Sequence, residues 1–402
     1  MRIALLPDDY LPGSTLVHAN MFHELAHEFI KQGHDVVVIT PGLPNQHKKL
    51  IIESIDGVVV WRFRAGLRRG VGKLKRALNE SLLSFCAWSA IKSEVKKAPF
   101  DLCVNYSPTI FFGKLAAKLR KKYNTYIYLV LRDMFPQWVV DEGMIKSGSF
   151  IEKYFRYFEH FNYKASHKIG LMSKANVEYF SFTNPQYSNL EVLHNWSCLL
   201  PPNFDTYSVN IREKYKLIGK VIFFYGGNIG HAQDMSNLIR LASRLSFRTE
   251  AHFLFVGQGD EFELINSLKS ELYLDNVTIL PSVNQSLYKE FLNQVDVGLF
   301  SLAGSHKAHN FPGKILGYMI QELPILGSVN SGNDLIDYIN DSESGFSFIN
   351  GDDDALFNAA IELLDNAKLR QRMGENSFKL LKQNFSVEQA SRKILLALEE
   401  LC

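Results

Sequence analysis

Val221-Ile-Phe-Phe-Tyr225, running into Gly226-Gly-Asn-Ile-Gly230-His-Ala-Gln-Asp234, decides the fold. A short apolar run closed by glycines and followed by a helical pattern reads as a buried strand, a turn and a helix. The same alternation precedes and follows it. Upstream, strands are expected at Arg2–Leu6, Val36–Thr40, Val58–Arg62, Tyr126–Leu131, Lys168–Met172 and Leu190–His194, with helices at Val17–Gln32, Phe111–Tyr123 and Phe150–Ser166. An aperiodic, Pro-containing stretch from Asn195 to Leu217 interrupts the pattern, which restarts at Val221. It continues through His252–Val256, Val277–Leu280, Val297–Leu302, Pro324–Gly327 and Gly345–Ile349. Strands separated by helices form βαβ units, so the chain reads as α/β, with two doubly wound parallel sheets and a cleft between two domains. The expected boundaries are 1–195, a linker at 196–217, and 218–385, with a last helix in 386–402 packing near the linker or back on the first domain.

Composition agrees with two soluble domains. The 402 residues exceed one typical core, and the content is 46% hydrophobic and 21% charged. No apolar run approaches the roughly 18 residues a membrane-spanning helix needs. Met1-Arg-Ile-Ala-Leu-Leu-Pro-Asp-Asp reads as a strand running into acids rather than a signal peptide. Cys86, Cys103, Cys198 and Cys402 have no ligand-like spacing, which points to a reducing compartment without zinc or a disulfide framework. Net charge is +2, but residues 1–195 hold 26 Lys and Arg against 17 Asp and Glu, whereas 196–402 hold 18 against 25. The basic half is expected to face something anionic.

Several stretches carry chemistry. In Phe311-Pro-Gly-Lys-Ile-Leu-Gly-Tyr-Met, Lys314 is expected in the first turn of a Pro-initiated helix, where backbone N–H groups and the helix dipole favour a phosphate. Gly226, Gly227 and Gly230 allow close backbone approach, and Asn228 and His231 offer donors to phosphate or sugar oxygens; a plain tight turn is the alternative. The Val256-Gly-Gln-Gly turn suits a nucleotide edge or simple strand packing. Asp133, in Leu131-Arg-Asp-Met-Phe-Pro-Gln-Trp, falls at the carboxyl end of a strand, where α/β enzymes place working groups; helix capping is the other reading. Gly13, Ser14 and Thr15 follow the first strand and suit an acceptor. From Arg62 to Arg76 seven basic residues, including Arg68, Arg69, Lys73 and Lys75, interleave with apolar ones and no acid. Such a stretch fits an anionic membrane surface, with nucleic acid or a solvated face as rivals. The aromatic run from Tyr154 to Tyr163 could border lipid, although its helical spacing is commoner in a core. No HExxH, GxSxG or glycosidase-type acid pair is present, so electrostatic stabilisation of a leaving group is expected rather than a covalent nucleophile.

Together these stretches resemble the retaining GT-B glycosyltransferases of family 4, which have two Rossmann-like domains facing a central cleft. The likeness rests on Gly33-His-Asp-Val-Val-Val-Ile-Thr-Pro41, the Gly226–Gly230 stretch, Val256-Gly-Gln-Gly, Asp296-Val-Gly-Leu, Pro312-x-Lys314 with Tyr318-Met, and Asn350-Gly-Asp-Asp-Asp-Ala-Leu. Asp8-Asp-Tyr-Leu-Pro-Gly-Ser-Thr15, Arg132-Asp-Met-Phe-Pro-Gln-Trp138 and Gly327-Ser-Val-Asn-Ser-Gly-Asn-Asp334 are similar to one subgroup, the L-fucosamine (N-acetyl-L-fucosaminyl) transferases of bacterial O-antigen and capsule synthesis. The resemblance implies a UDP-sugar co-substrate and no metal or other cofactor. It also implies a polyprenyl-diphosphate-linked sugar acceptor and a cytoplasmic enzyme held peripherally at the inner face of the cytoplasmic membrane, with no nucleic-acid partner. By resemblance, Lys314 and Gly226, Gly227, Asn228 and Gly230 contact the diphosphate, and Asn330, Gly332, Asn333 and Asp334 lie near the donor. Asp133 faces the reacting sugar, and Gly13 to Thr15 help form the acceptor side. Relatives commonly carry a spaced pair of glutamates at positions matching His309 and Gly317; here His309 takes the first place in the catalytic set. A GT-B UDP-sugar 2-epimerase and a non-catalytic binder of nucleotide sugars or membrane surfaces are the competing expectations.

Overall fold

The computed structural model describes the chain except residues 15, 44, 69, 142, 201–207, 306–308 and 401–402. It divides into two compact units, Met1–Trp196 with the chain from Val387 onward, and Ser197–Ser386.

The first unit is built on strands β1 (Arg2–Leu6), β2 (Asp35–Pro41), β3 (Leu50–Ile55), β4 (Val58–Phe63), β5 (Leu102–Ser107), β6 (Tyr126–Leu131), β7 (Lys168–Leu171) and β8 (Leu190–Val192). They lie in the order β3-β4-β2-β1-β5-β6-β7-β8, parallel except for β3, which pairs antiparallel with β4. Helices α1 (Val17–Lys31), α2 (Lys73–Ser81), α3 (Leu83–Lys97), α4 (Gly113–Tyr123), α5 (Gln137–Asp141), α6 (Phe150–Ala165) and α7 (Lys174–Thr183) connect them. Successive strand residues feed opposite layers. Ile3, Leu5, Val36 and Val38 pack with Phe22, Leu25 and Phe29 of α1, whereas Ala4, Leu6, Val37 and Ile39 pack with residues of α3 and α4 such as Ala87, Ile91 and Leu115.

The second unit carries β9 (Val221–Asn228), β10 (Ala251–Gln258), β11 (Val277–Pro281), β12 (Val297–Ser301), β13 (Ile325–Val329) and β14 (Gly345–Ile349), all parallel, in the order β11-β10-β9-β12-β13-β14. This is the doubly wound Rossmann order, with the strand sequence reversing between β9 and β12. Its helices are α8 (Ile211–Lys214), α9 (Met235–Arg244), α10 (Phe262–Glu271), α11 (Gln285–Leu292), α12 (Lys314–Ile320), α13 (Leu335–Asp341), α14 (Asp353–Asp365) and α15 (Ala367–Leu380). Helix α16 (Val387–Glu399) returns to the first unit, where Val387, Ala390 and Ile394 join the layer under α1.

Two details differ from the sequence reading. The stretch 196–217 is folded at both ends. Trp196 is buried and donates its indole N–H to Met21 O at 2.7 Å, and α8 is pinned by Arg212, whose guanidinium meets Asp296 at 2.7 Å. Strand β9 also runs on through Gly226, Gly227 and Asn228, which pair with Val256, Gly257 and Gln258 of β10. The expected glycine turn is therefore a strand end. A Cβ on Gly257 would collide with the Gly227 carbonyl, so the Val256-Gly-Gln-Gly segment serves strand packing. Among the described residues, no helix is long and apolar enough to cross a membrane.

Candidate functional site

Two polar clusters lie at the carboxyl ends of the sheets, one in each unit. In the second unit the cluster sits beside the β9–β12 reversal, where open α/β sheets bind ligands. Lys314 opens α12 after Gly313, which supplies no side-chain cap. The helix has only seven residues, so its dipole is short and the lysine itself is the main positive feature. Its Nζ lies 3.4 Å from the centre of the Tyr225 ring, a cation–π contact at the end of β9. Tyr225 donates its hydroxyl to the Asn228 carbonyl, which fixes the ring beneath the lysine.

Burial pushes the Lys314 ammonium well below its ordinary pKa. Among the described residues no carboxylate pairs with it, and the ring face of Tyr225 offsets part of the lost hydration. Gly227 adjoins it with φ +130°, a backbone angle that favours glycine, and a Cβ there would lie 3.5 Å from Lys314 Cε. Gly227 therefore keeps clear the space beside the ammonium. The Gly226 N–H donates to the Tyr318 hydroxyl at 3.3 Å, and Tyr318 donates to Leu299 O on β12 at 3.0 Å. That tyrosine ties β9, β12 and α12 together. Asn228 donates to Gln233 at 2.7 Å, and a Cβ on Gly230 would meet Asp260 and Asn228, so both residues are packed into the start of the following turn. His231 is exposed, 3.3 Å from Glu261.

The expected donor residues 330–334 form a second group in the same unit. Asn330 and Asn333 are buried, and their side chains are not presented as free donors. The Asn333 amide donates to Asn330 at 3.0 Å and to Asn310 O at 3.2 Å, while its oxygen accepts from Leu335 N at 3.1 Å. They hold the turn that begins α13, with Asp334 at its cap position. Gly332 has φ +78°, and a Cβ there would lie 3.3 Å from His309 Nε2, which is itself 3.3 Å from Ser331 O. His309 thus rests on this turn. Gly317 faces Leu292 on α11, with apolar rather than carboxylate surroundings.

The first unit's cluster lies where its strand order reverses between β1 and β5. Asp8 follows β1, and its carboxylate meets His18 Nε2 at 3.1 Å and Arg68 at 3.9 Å. Burial raises the Asp8 pKa, but the His18 hydrogen bond and charge, with Arg68, outweigh it, and the net direction is down. The His18 ring packs on Tyr106 with centroids 4.9 Å apart. Asp133, after β6, is solvent-exposed and accepts no hydrogen bond among the described residues, so it caps no helix. Desolvation by the surrounding protein raises its pKa, Asp8 adds to this, and Arg132 and His18 oppose it. Arg132 is buried, donates to His194 O at 2.9 Å, and burial lowers its pKa to about 10. Ser14 donates to Asp9 at 3.1 Å and accepts from Leu16 N at 3.2 Å, so its hydroxyl shapes the loop beside Gly13. Thr15 and Arg69 lie outside the described residues. Arg68 turns toward Asp8 instead of joining the exposed Lys73 and Lys75, and buried Arg62 pairs with Glu53.

The reading from sequence missed Tyr225 as the seat of Lys314 and the Asp8–His18–Arg68 group. An aromatic directly before paired glycines was the available signal for the first. The second joins residues from three elements and leaves no local pattern.

Comparison with known proteins agrees with this fold. Residues 209–380 match the family model of glycosyl transferases group 1. The chain is 26% identical over 267 residues to the probable glycosyltransferase WbjE of Pseudomonas aeruginosa, a match covering 64% of either chain. Among solved structures, the sucrose-phosphate synthase of Thermosynechococcus elongatus superposes with a TM-score of 0.75 at 16% identity, covering 100% of this chain and 98% of that one. HepE of Anabaena, solved in complex with UDP and glucose, gives 0.68 at 15% identity with both chains fully covered. At these identities the structural likeness establishes the fold: the chain has the two Rossmann-like units of the GT-B glycosyltransferases, and its second unit carries the group 1 match.

Proposed function

We propose that the protein is a retaining glycosyltransferase that moves N-acetyl-L-fucosamine from UDP to a polyprenyl-diphosphate-linked sugar, in the synthesis of O-antigen or capsule. The observation that carries this reading is Lys314, held over Tyr225 beside the Cβ-free space of Gly227 with no described carboxylate partner. A buried ammonium without an anion is stabilised by a ligand that brings one, and a diphosphate does so. HepE, bound to UDP, and WbjE, named a probable glycosyltransferase, support the donor class and the reaction.

In this reading the bond between the anomeric carbon and the UDP oxygen breaks as the acceptor hydroxyl attacks from the same face. The hydroxyl proton passes to the departing phosphate oxygen, and Lys314 stabilises the negative charge gathering on UDP. No metal is required, because the lysine supplies the positive charge. Gly226, Gly227, Asn228 and Gly230 bound the diphosphate space. Asn330, Gly332, Asn333 and Asp334 lie near the donor, and His309, which rests on their turn, joins Asp133 in the catalytic set. Asp133 serves the reacting sugar, and Gly13, Ser14 and Thr15 serve the acceptor. The enzyme works at the inner face of the cytoplasmic membrane.

A thermal-shift screen of UDP-, GDP- and dTDP-sugars tests the donor class, since a ligand that binds only the folded state raises its melting temperature. Selective stabilisation by UDP compounds is expected. Transfer of radiolabel from UDP-N-acetyl-L-fucosamine to a lipid-linked acceptor then tests the reaction. Turnover of another UDP-sugar in its place would refute the subgroup, and turnover of donor without acceptor would favour an epimerase.

A further inference from the structure

The first unit exposes more apolar surface on two adjoining helices than its fold needs. No residue of α2 is buried, yet Leu74 is 89% exposed, and Leu78, Leu82 and Phe85 also face water. Leu82 has helical angles, φ −85° and ψ −5°, so these residues follow one stripe from α2 into α3. A nine-residue helix with nothing buried is marginal in water by itself. Helix α6 adds Phe150, 91% exposed, with Ile151 beside it. The two helices touch: Tyr154 of α6 hydrogen-bonds Ser81, and its hydroxyl lies 3.5 Å from the Ala77 carbonyl on α2.

We propose that α2, the start of α3 and the start of α6 form one face that inserts shallowly into an anionic lipid bilayer. This deepens the membrane-surface part of the proposed function and rests on it. Charge selects the occupant. The acids on these helices are already engaged, Glu80 by Arg76 at 2.8 Å and Glu152 by Arg156 at 3.3 Å. Lys73, Lys75 and Lys153 are exposed, and none pairs with a carboxylate among the described residues. Protruding leucine and phenylalanine between uncompensated lysines suit lipid tails below anionic headgroups, whereas the core of a protein interface is depleted in lysine. The aromatic run of α6 divides between the two roles. Phe158 and Tyr163 are buried in the fold, while Tyr154 and Tyr157 border the face.

The test is co-sedimentation with phosphatidylcholine vesicles, with and without phosphatidylglycerol. The wild-type chain binds the anionic vesicles, and Leu74→Glu with Leu78→Glu lowers the partition coefficient at least about tenfold. Phe150→Ser acts in the same direction from the other helix. Melting temperatures stay unchanged, because none of these side chains is buried. Lys73→Ala with Lys75→Ala weakens binding mainly at low salt. Wild-type protein that ignores anionic vesicles, or leucine variants that sediment like wild type, would overturn the inference. So would a lipid-free dimer that the leucine variants split, since the face would then join two copies. Transfer to a water-soluble acceptor is measured in parallel. Its absence counts against the transferase reading alone, and its persistence in the leucine variants separates lipid docking from catalysis.

Discussion

The two clusters at the carboxyl strand ends treat charge in opposite ways. In the first unit Asp8 is answered by His18 and Arg68 within the protein, and the pair is largely closed. In the second unit Lys314 meets an aromatic face and, among the described residues, no carboxylate, and the space beside it is kept open by a glycine. A charge whose partner lies in the chain is committed to structure. A charge without one stores desolvation cost that a ligand relieves, so the second cluster is the better place to expect tight anion binding. Asp133 stands between the extremes, exposed yet held above the usual carboxylate range.

The largest effect expected from breaking this contrast is at Asp133. Asp133→Asn should lower turnover by at least about 100-fold, as for loss of a working carboxylate, with UDP affinity nearly unchanged. Steady-state kinetics with calorimetry checks both halves. Because the folded pKa of Asp133 is raised, its contribution to stability is full below the ordinary carboxylate value and is lost as pH rises through the folded value. The Asn variant should therefore melt slightly higher at neutral pH, and a collapse of the fold would reassign Asp133 to structure. Lys314→Met should weaken UDP by about 1.5–3 kcal/mol, the range for a charge-assisted hydrogen bond. The variant should be at least as stable as wild type without ligand, which thermal melts with and without UDP will show.

Smaller effects separate scaffold from site. Asn333→Ala should cost roughly 1–3 kcal/mol of stability by leaving buried partners unsatisfied, with a lesser loss of UDP affinity, measured by denaturant titration and calorimetry. Asp8→Asn should change acid stability. The folded pKa of Asp8 is depressed, so its contribution is present above the ordinary value of 3.8 and is lost as pH falls through the folded one. The variant should start less stable at neutral pH and lose less on acidification. A wild-type acid profile in the variant would show that the Asp8–His18 contact contributes nothing.

The sequence was most legible where burial enforces a pattern. Strands Arg2–Leu6, Tyr126–Leu131 and Gly345–Ile349 were expected at the bounds they have. The first two lie inside their sheet and read as near-continuous apolar runs, while the third, at a sheet edge, is marked by its Phe346–Phe348 alternation between turns. Strand β5 and helices α2 and α3 were not. Strand β5 carries buried Asn105, which donates to Asn162 at 2.9 Å and interrupts its apolar run, and the leucine stripe of α2 buries nothing, so neither stands out as a core element. Lys314 was legible as a candidate because a basic residue opens a short helix after a strand. Its seat was not, because Tyr225 reaches it through the order of the strands. Asn330 and Asn333 were read as residues near a ligand; that they also build the turn before α13 shows only in tertiary hydrogen bonds.

Calorimetric titration of UDP into the wild-type chain and Lys314→Met, in buffers of differing ionisation heat, tests the central claim most directly. A buried ammonium with a depressed pKa should take up protons as the diphosphate restores its charge, so wild-type binding should weaken as pH rises. The account predicts proton uptake that disappears in the methionine variant along with about 1.5–3 kcal/mol of affinity. Equal UDP affinity and equal proton exchange in the two proteins would contradict it.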